Sequence, residues 1–240
     1  MRNREFLVDV YNDTMRRVES GEYGSKIESE KCVIKKIKMD EKIKKPGITT
    51  VQNDDCINAA LKLSNEGKTC LLNMASYKKP GGGVKTGAMA QEEELARRSN
   101  LMCGIDNRDF YPLDMNEYIY SENVTFFKDK DYNLMNPFTC DVITIASVNL
   151  NSKEAPDDYI DIMANKISTI LYVPYKHGCK NIVLSAFGCG VFKNDPLFVS
   201  SLFKKLLDSG YSSLYNKVVF AILNDRNSVS NNYEIFNKIL

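Results

Sequence analysis

The sequence lacks the features of a membrane or secreted protein. No run of about 18 apolar residues, the shortest that begins to span a bilayer, occurs in its 240 residues. The first ten residues place charged side chains among the apolar ones, which is not the pattern of a secretory signal. We therefore expect a soluble, intracellular protein of the cytoplasm that needs no membrane.

An excess of charge of either sign is also lacking. Lysine and arginine number 32, and aspartate and glutamate number 31, so no overall positive field is available to hold a nucleic-acid backbone. Nucleic acid is therefore not expected as an obligate partner. An anionic ligand has to be held locally, by backbone amides or by a few placed side chains, which favours a small ligand.

Residues that bind metals or form disulfides are sparse. The seven cysteines are odd in number, scattered and without a CxxC pair, so reduced thiols are expected in place of a disulfide framework or a zinc site. The only histidine, His177, has no metal-ligand partner near it in sequence and is interpreted as a helix-terminal or loop residue. We expect neither a metal nor a cofactor, and acid–base chemistry then falls to carboxylates.

Apolar periodicity predicts strands and helices in alternation. Apolar residues recur at helical spacing between Leu7 and Val18, and the stripe ends at Gly21. The continuous apolar run Thr69–Met74 is typical of a strand buried on both faces. Pro174 should end or kink the helix that precedes it. Further strands are expected at residues 32–37, 48–52, 124–127, 141–147, 181–186 and 218–223, and further helices near 54–64, 91–102, 160–171, 195–207 and 229–240.

This alternation predicts α/β layers with a parallel or mixed sheet covered on both faces. The sequence contains no internal repeat, low-complexity segment or convincing linker. A single domain is therefore the simplest prediction.

A glycine-rich loop follows the strand Thr69–Met74. Gly81, Gly82 and Gly83 are consecutive, which removes every Cβ and lets backbone amides approach a phosphate or ribose closely. A glycine run alone could equally be a flexible turn. Loops at the carboxyl ends of such strands form the ligand crevices of open α/β sheets.

Gln91, Glu92 and Glu93 open a helix after this loop. Carboxylates in a first turn could serve only to complement the helix dipole. Adjacent helical positions are about 100° apart, so Glu92 and Glu93 do not share one direction. Both become useful only if the loop wraps a ligand over the start of the helix.

A second loop spans residues 185–196, where Gly188 and Gly190 flank Cys189 ahead of a predicted helix. This backbone-rich turn suits a diphosphate. Phe192 would ordinarily be a core residue, but its polar neighbours place it well to pack on a sugar or base. Cys189 has no basic partner near it in sequence and is interpreted as a small packing residue, not a nucleophile.

Taken together, these motifs resemble a known family. Pro80 and the three glycines are followed by a seven-residue spacer and then by Gln91-Glu92-Glu93, and the second loop adds Gly188-Cys189-Gly190-Val191-Phe192 and Asn194-Asp195-Pro196. The combination resembles the microbial-type poly(ADP-ribose) glycohydrolases, which are macrodomain proteins. The resemblance implies a three-layer α/β/α sandwich with a mixed, largely parallel central sheet, in one domain over residues 1–240 with an N-terminal helical extension at about 1–30.

The resemblance also implies a substrate and roles for the motif residues. ADP-ribose or poly(ADP-ribose), free or attached to modified proteins, would bind a monomeric enzyme across the two loops. Glu93 would be the catalytic acid and base, and Glu92 would position ribose hydroxyls. The other implied ligand-binding residues are Asn53, Asp54, Asn73, Gly81, Gly82, Gly83, Gln91, Gly188, Cys189, Gly190, Val191 and Phe192.

The resemblance also implies which part of ADP-ribose several of these residues contact. The second loop would hold the diphosphate, with Val191 beside it and Phe192 packed on the ribose. Asn73 would lie at the floor of the cleft, and Asn53 and Asp54 would meet the adenine.

Other functions remain open at this point. The chain could be a reader that binds ADP-ribose without turnover, or a hydrolase that removes mono-ADP-ribosyl groups from protein or nucleic acid. A hydrolase of nucleotide sugars or NAD metabolites on the same scaffold is a further alternative. Departures from the family pattern at Ser185 and Phe187, and a partial match at residues 146–149, bear on substrate preference more than on the acid.

Overall fold

The computed structural model describes residues 3–37, 39, 45–151, 154–224 and 231–240. The chain forms two compact units, and each is built from two separate segments. The first unit comprises Met1–Val33 and Asn73–Ala146, and the second comprises Ile34–Leu72 and Ser147–Leu240.

The elements are numbered in chain order. The helices are α1 (Arg4–Glu19), α2 (Cys56–Ser64), α3 (Gln91–Arg98), α4 (Met102–Ile105), α5 (Tyr159–Lys176), α6 (Pro196–Asp208) and α7 (Asn232–Ile239). The strands are β1 (Ser29–Val33), β2 (Ile48–Gln52), β3 (Thr69–Met74), β4 (Glu117–Lys128), β5 (Leu134–Ile145), β6 (Asn181–Leu184) and β7 (Lys217–Ala221). Short 3₁₀ turns occur at Val84–Thr86 and Tyr211–Leu214.

The first unit contains an antiparallel part of the sheet. β1 pairs with β4, with Cys32 opposite Tyr118, and β4 pairs with β5, with Ile119 opposite Thr144. Two register shifts interrupt the β4–β5 hairpin. Since a shift turns the following side chains to the other face, it breaks the alternation that sequence patterns rely on. The sequence predicted only two short strands here, and the structure has two of 12 residues each.

The second unit contains a parallel part of the sheet. β3 pairs with β6, β6 with β7, and β7 with β2, all in parallel. β6 is buried along its whole length, and so are the first five residues of β3, as expected of strands covered on both faces. Among the described residues, hydrogen bonds join the strands in the order β1-β4-β5-β3-β6-β7-β2. The predicted α/β fold with a mixed, largely parallel sheet is confirmed.

Helix starts follow the predicted chemistry. Asp55 caps α2 by accepting hydrogen bonds from the amides of Ile57 and Asn58. Asp195 caps α6, where Pro196 occupies the first turn. The helix before Pro174 does not end early, because α5 runs on to Lys176. Pro174 lies in its last turn, where the missing amide costs only one hydrogen bond.

The N-terminal helix α1 belongs to the core of the first unit. Its buried residues, at the predicted helical spacing, are Leu7, Val10, Tyr11, Thr14 and Val18. Thr14 donates to the carbonyl of Arg97 in α3. No described helix combines the length and the apolar composition needed to cross a membrane.

Candidate active site

The glycine-rich loop, residues 75–90, connects β3 to α3 in the first unit. Gln91, the first residue of α3, accepts a hydrogen bond from the amide of Met74 at 2.9 Å. This bond ties the start of the helix to the end of β3. The loop between them is therefore closed at its base, although Met74 and Gln91 are 17 residues apart in sequence.

Glu92 braces this loop. Its side chain is buried, and its two carboxyl oxygens accept separate backbone hydrogen bonds. Oε2 accepts from the amide of Ser76 at 2.7 Å, and Oε1 accepts from the amide of Gly81 at 3.2 Å. One side chain thus holds both the beginning of the loop and its first glycine.

Glu93 holds the loop with one oxygen only. Oε1 accepts from the amide of Gly83 at 2.9 Å. Oε2 is buried and has no hydrogen-bond partner within the part of the chain that the structure describes. Because an unpaired buried carboxyl oxygen is costly, its position calls for an explanation beyond stability.

Gly82 lies directly against both carboxylates. A Cβ placed on Gly82 would lie 2.6 Å from Oε1 of Glu93 and 2.9 Å from Oε2 of Glu92. The residue also has a φ of +55°, which side chains rarely adopt. The loop folds over the helix start and meets both carboxyl groups, even though they leave the helix in different directions.

The end of β3 adds a polar side chain to the same place. Asn73 is fully buried, and its side-chain amide donates to Thr144 Oγ1 at 3.2 Å. It also contacts the carboxyl group of Glu92, whereas its Oδ1 lacks a partner among the described residues. We call Asn73, the three loop glycines, Gln91, Glu92 and Glu93 the glycine–glutamate cluster; the structure brings all seven together.

Burial raises the pKa of Glu92 to about 8, and the charge of Glu93 adds to this rise. The amides of Ser76 and Gly81 and the side chain of Asn73 oppose it. The pKa therefore stays well above the ordinary value of 4.5, and Glu92 titrates close to physiological pH.

This raised pKa predicts a pH-dependent stability. The unfolded chain releases the Glu92 proton near pH 4.5 and the folded chain near pH 8. The proton bound to Glu92 therefore stabilises the folded state fully below about pH 4.5, and this contribution is lost as pH rises through 8. We expect the free energy of unfolding to fall by an amount on the order of a few kcal/mol across that window. Denaturant titrations at several pH values should show that the free energy of unfolding falls less with rising pH in Glu92→Gln than in wild type. An equal fall in the two proteins would contradict the raised pKa of Glu92.

Arg97 anchors the other end of α3. This fully buried residue donates to the carbonyl of Leu7 in α1 at 3.1 Å and to the carbonyl of Ala88 at 2.5 Å. It also pairs with Glu94, which accepts a further hydrogen bond from the hydroxyl of Tyr132. The sequence did not predict this anchor, because an arginine late in a helix is usually an exposed partner of the helix dipole.

The second loop, residues 185–196, lies in the second unit after β6. Gly188 has a φ of +76°, and a Cβ there would collide with Ser147 and Asn194. The side-chain amide of Asn194 donates to the carbonyls of Val148 at 2.8 Å and of Gly188 at 3.0 Å. The loop is therefore held in one shape by Asn194, a role that the sequence pattern did not predict.

The predicted ligand residues of this loop differ in exposure. Val191 is 67% exposed, Gly190 has open space where a Cβ would stand, and Phe192 is half-buried. Cys189 is buried, and burial raises the pKa of its thiol to about 12. It remains a protonated thiol at neutral pH, which agrees with a packing residue and not with a nucleophile.

Asn53 and Asp54 follow β2 in the second unit and already make intramolecular bonds. Asn53 Oδ1 accepts from the amide of Asn224 at 2.9 Å, and Asp54 pairs with Lys62 at 2.7 Å. Burial opposes ionisation of Asp54, but Lys62 and the Asp55 amide hold its pKa below the ordinary value. The contact with adenine stays a prediction for these residues.

His177 follows the last turn of α5 as its C-cap residue, as the sequence indicated. In the described ranges no group of three or more His, Cys, Asp or Glu side chains is arranged to hold a metal ion. The carboxyl groups of Glu92 and Glu93 both accept hydrogen bonds from backbone amides of the glycine-rich loop.

Comparison with known proteins agrees with this geometry. The fold is α/β, its glycine loop closes over two buried glutamates, and the family match assigns it to the glycosidic-bond hydrolases. The sequence model of a protein family, the microbial-type poly(ADP-ribose) glycohydrolase catalytic domain, matches residues 9–129, about half of the chain. The chain belongs to this family, as the motifs predicted. The match includes the glycine–glutamate cluster and ends before the second loop.

Solved structures show the same fold. Poly(ADP-ribose) glycohydrolase from Thermomonospora curvata is 23% identical, with a TM-score of 0.85 over 98% of this chain and 100% of that one. The same enzyme bound to the inhibitor ADP-HPD has a TM-score of 0.83, at 23% identity and the same coverage. A variant of the Deinococcus radiodurans enzyme in complex with ADP-ribose is 28% identical, with a TM-score of 0.72 over 80% of this chain and 83% of that one. No curated protein matches the chain.

Proposed function

We propose that Glu93 is the general acid and base with which this enzyme hydrolyses the O-glycosidic ribose–ribose linkage of poly(ADP-ribose), releasing ADP-ribose. The observation that carries the proposal is the asymmetry of its carboxyl group. Oε1 is held by the amide of Gly83, and the buried Oε2 lacks a hydrogen-bond partner among the described residues. One oxygen sets the orientation of the side chain, and the other keeps its hydrogen-bonding capacity for a substrate.

A single carboxyl group can serve both steps of the hydrolysis. Protonated Glu93 first donates its proton to the leaving ribose oxygen while the bond to the anomeric carbon breaks, leaving an oxocarbenium-like centre. The resulting carboxylate then takes a proton from the attacking water as the new C–O bond forms. The proton on Glu93 is thereby restored, and no net charge is left on the enzyme.

The rest of the glycine–glutamate cluster positions the sugar in this proposal. Glu92 holds ribose hydroxyls, and its raised pKa lets it donate as well as accept hydrogen bonds near neutral pH. Gly81, Gly82 and Gly83 let the backbone approach the ribose because they carry no side chains. Gln91 and Asn73 complete the polar surroundings.

We assign the remaining parts of ADP-ribose to residues of the second unit. Gly188, Cys189, Gly190 and Val191 bind the diphosphate through their backbone, and Phe192 packs on the ribose. Asn53 and Asp54 meet the adenine. The complex of the Deinococcus radiodurans enzyme with ADP-ribose supports ADP-ribose as the ligand of this family.

We further propose that the chain forms one domain and works as a monomer. Its substrates include ADP-ribose chains attached to modified proteins. Both compact units are discontinuous, and the chain crosses from one to the other within β3. The boundary between the units therefore falls inside a strand, and not in a flexible linker as a boundary between separate domains does. The seven cysteines form no disulfide, which supports work in the reducing cytoplasm.

The test is turnover of a defined polymer. Purified protein incubated with automodified poly(ADP-ribose) should release free ADP-ribose, detected by chromatography. Release from mono-ADP-ribosylated protein or nucleic acid alone would replace the proposed substrate with the linkage nearest the acceptor. Binding of ADP-ribose by calorimetry without any product after long incubation would make the chain a reader.

A further inference from the structure

A short segment between α4 and β4 lies against the loop that Glu92 braces. The amide of Leu113 donates to the carbonyl of Tyr77 at 2.9 Å, and the amide of Phe110 donates to the carbonyl of Asn107 at 3.1 Å. Tyr77 directly follows Ser76, whose amide binds Glu92. Tyr111 lies between Phe110 and Leu113, so these bonds fix the backbone on both sides of it, and its hydroxyl is close enough to Glu92 to interact with it electrostatically.

The Tyr111 hydroxyl is buried without a hydrogen-bond partner in the described part of the chain. Burial raises its pKa, and the charge of Glu92 contributes to the rise. The hydroxyl therefore stays protonated, and it lies within electrostatic range of the Glu92 carboxyl group. Folding alone does not account for it, because a buried hydroxyl that bonds to nothing lowers stability.

Unpaired acceptors accompany this unpaired donor in the first unit. Glu93 Oε2 and Asn73 Oδ1 are buried without partners among the described residues, and each belongs to a side chain that interacts with Glu92. A carboxyl and an amide oxygen accept hydrogen bonds, whereas the tyrosine hydroxyl can donate one. A ligand with several adjacent hydroxyl groups, each a donor and an acceptor, would complement this set.

We propose that the Tyr111 hydroxyl donates a hydrogen bond to a hydroxyl of the ribose that Glu92 and Glu93 hold, so that Tyr111 selects for the ribose at the scissile bond. The inference rests on the proposed function of the two glutamates and adds a third side chain to the substrate contacts. The sequence did not predict a role for Tyr111, since one tyrosine in a tyrosine-rich stretch carries no pattern.

The test compares wild type and Tyr111→Phe by calorimetry with two ligands. ADP-ribose contains the distal ribose, and ADP lacks it but keeps the adenosine and diphosphate. We expect Tyr111→Phe to bind ADP-ribose about three- to tenfold more weakly, the value of one hydrogen bond, and to bind ADP as wild type does. The midpoint of unfolding should stay the same or rise, because no intramolecular hydrogen bond is lost.

Tyr120→Phe is the matched control, because its hydroxyl donates to the buried carboxylate of Asp141 at 2.8 Å. This variant should unfold more easily and bind both ligands as wild type does. Unchanged ADP-ribose affinity in Tyr111→Phe, or equal weakening for ADP-ribose and ADP, would overturn the inference.

The proposed function is judged separately, by release of ADP-ribose from polymer by the wild type. If wild type turns over polymer and Tyr111→Phe matches it in affinity and in kcat/KM, only the role of Tyr111 is wrong. If wild type binds ADP-ribose without turnover, the hydrolase mechanism fails and the two affinities still decide the role of Tyr111. If wild type does not bind ADP-ribose, both proposals fail.

Discussion

Glu93→Gln is expected to lower kcat for polymer hydrolysis by about a thousandfold or more. The glutamine oxygen can still accept the hydrogen bond that Gly83 gives to Oε1, so the loop keeps its shape. The neutral amide can neither donate a proton to the leaving oxygen nor take one from water. The loss therefore reports acid–base chemistry separately from folding, and ADP-ribose affinity should change far less than kcat.

Initial rates of ADP-ribose release give kcat for Glu93→Gln, and calorimetry gives its affinity for ADP-ribose. Glu94→Gln is the control, because Glu94 occupies the same helical turn but pairs with Arg97 and Tyr132. It should lower the free energy of unfolding and leave kcat within about tenfold of wild type, as expected of a structural ion pair. Full activity of Glu93→Gln would remove Glu93 from the mechanism.

The second large effect is expected at Gly82. In Gly82→Ala the added methyl group would lie 2.6 Å from Glu93 Oε1 and 2.9 Å from Glu92 Oε2, so the loop or both carboxyl groups must shift. Since a displacement of about 1 Å in a catalytic group can cost a hundredfold, we expect kcat/KM to fall by at least that factor. Stability should fall as well, because φ is +55° at this position.

Gly21→Ala separates these two causes. Gly21 has a φ of +84° and no heavy atom within 4 Å of its Cβ position, so the substitution strains the backbone without a collision. Both variants should lose about 1 kcal/mol of unfolding free energy from the left-handed backbone, and only Gly82→Ala should lose activity. Equal kcat/KM values in the two variants would show that the close contact with the carboxyl groups is irrelevant to catalysis.

Where local pattern and final environment agreed, the fold could be predicted. The α1 stripe from Leu7 to Val18 is buried as its spacing indicated, and the apolar run in β3 is a buried strand. The β4–β5 hairpin was underestimated for two reasons: its register shifts break the alternation, and the first half of β5 is largely exposed.

The candidate site likewise contains residues that the sequence predicted and residues that it did not. The glycine triplet and Gln91-Glu92-Glu93 were identified from adjacent residues, because positive φ and close backbone approach depend on residue type at each position. The anchoring role of Arg97 and the role proposed for Tyr111 were not predicted. The partners of Arg97 lie elsewhere in the chain, as its bond to Leu7 across 90 residues shows, and Tyr111 comes near Glu92 only in the folded chain.

The sequence by itself determined the alternation of strands and helices, the glycine loop, the glutamate pair and, through them, the family. Only the tertiary structure decided that both carboxyl groups meet at Gly82, that Glu92 titrates near pH 8 and that one oxygen of Glu93 is buried without a partner among the described residues. The physical reason is that backbone preferences depend on neighbouring residues, whereas burial and hydrogen bonding depend on which distant segments folding brings together.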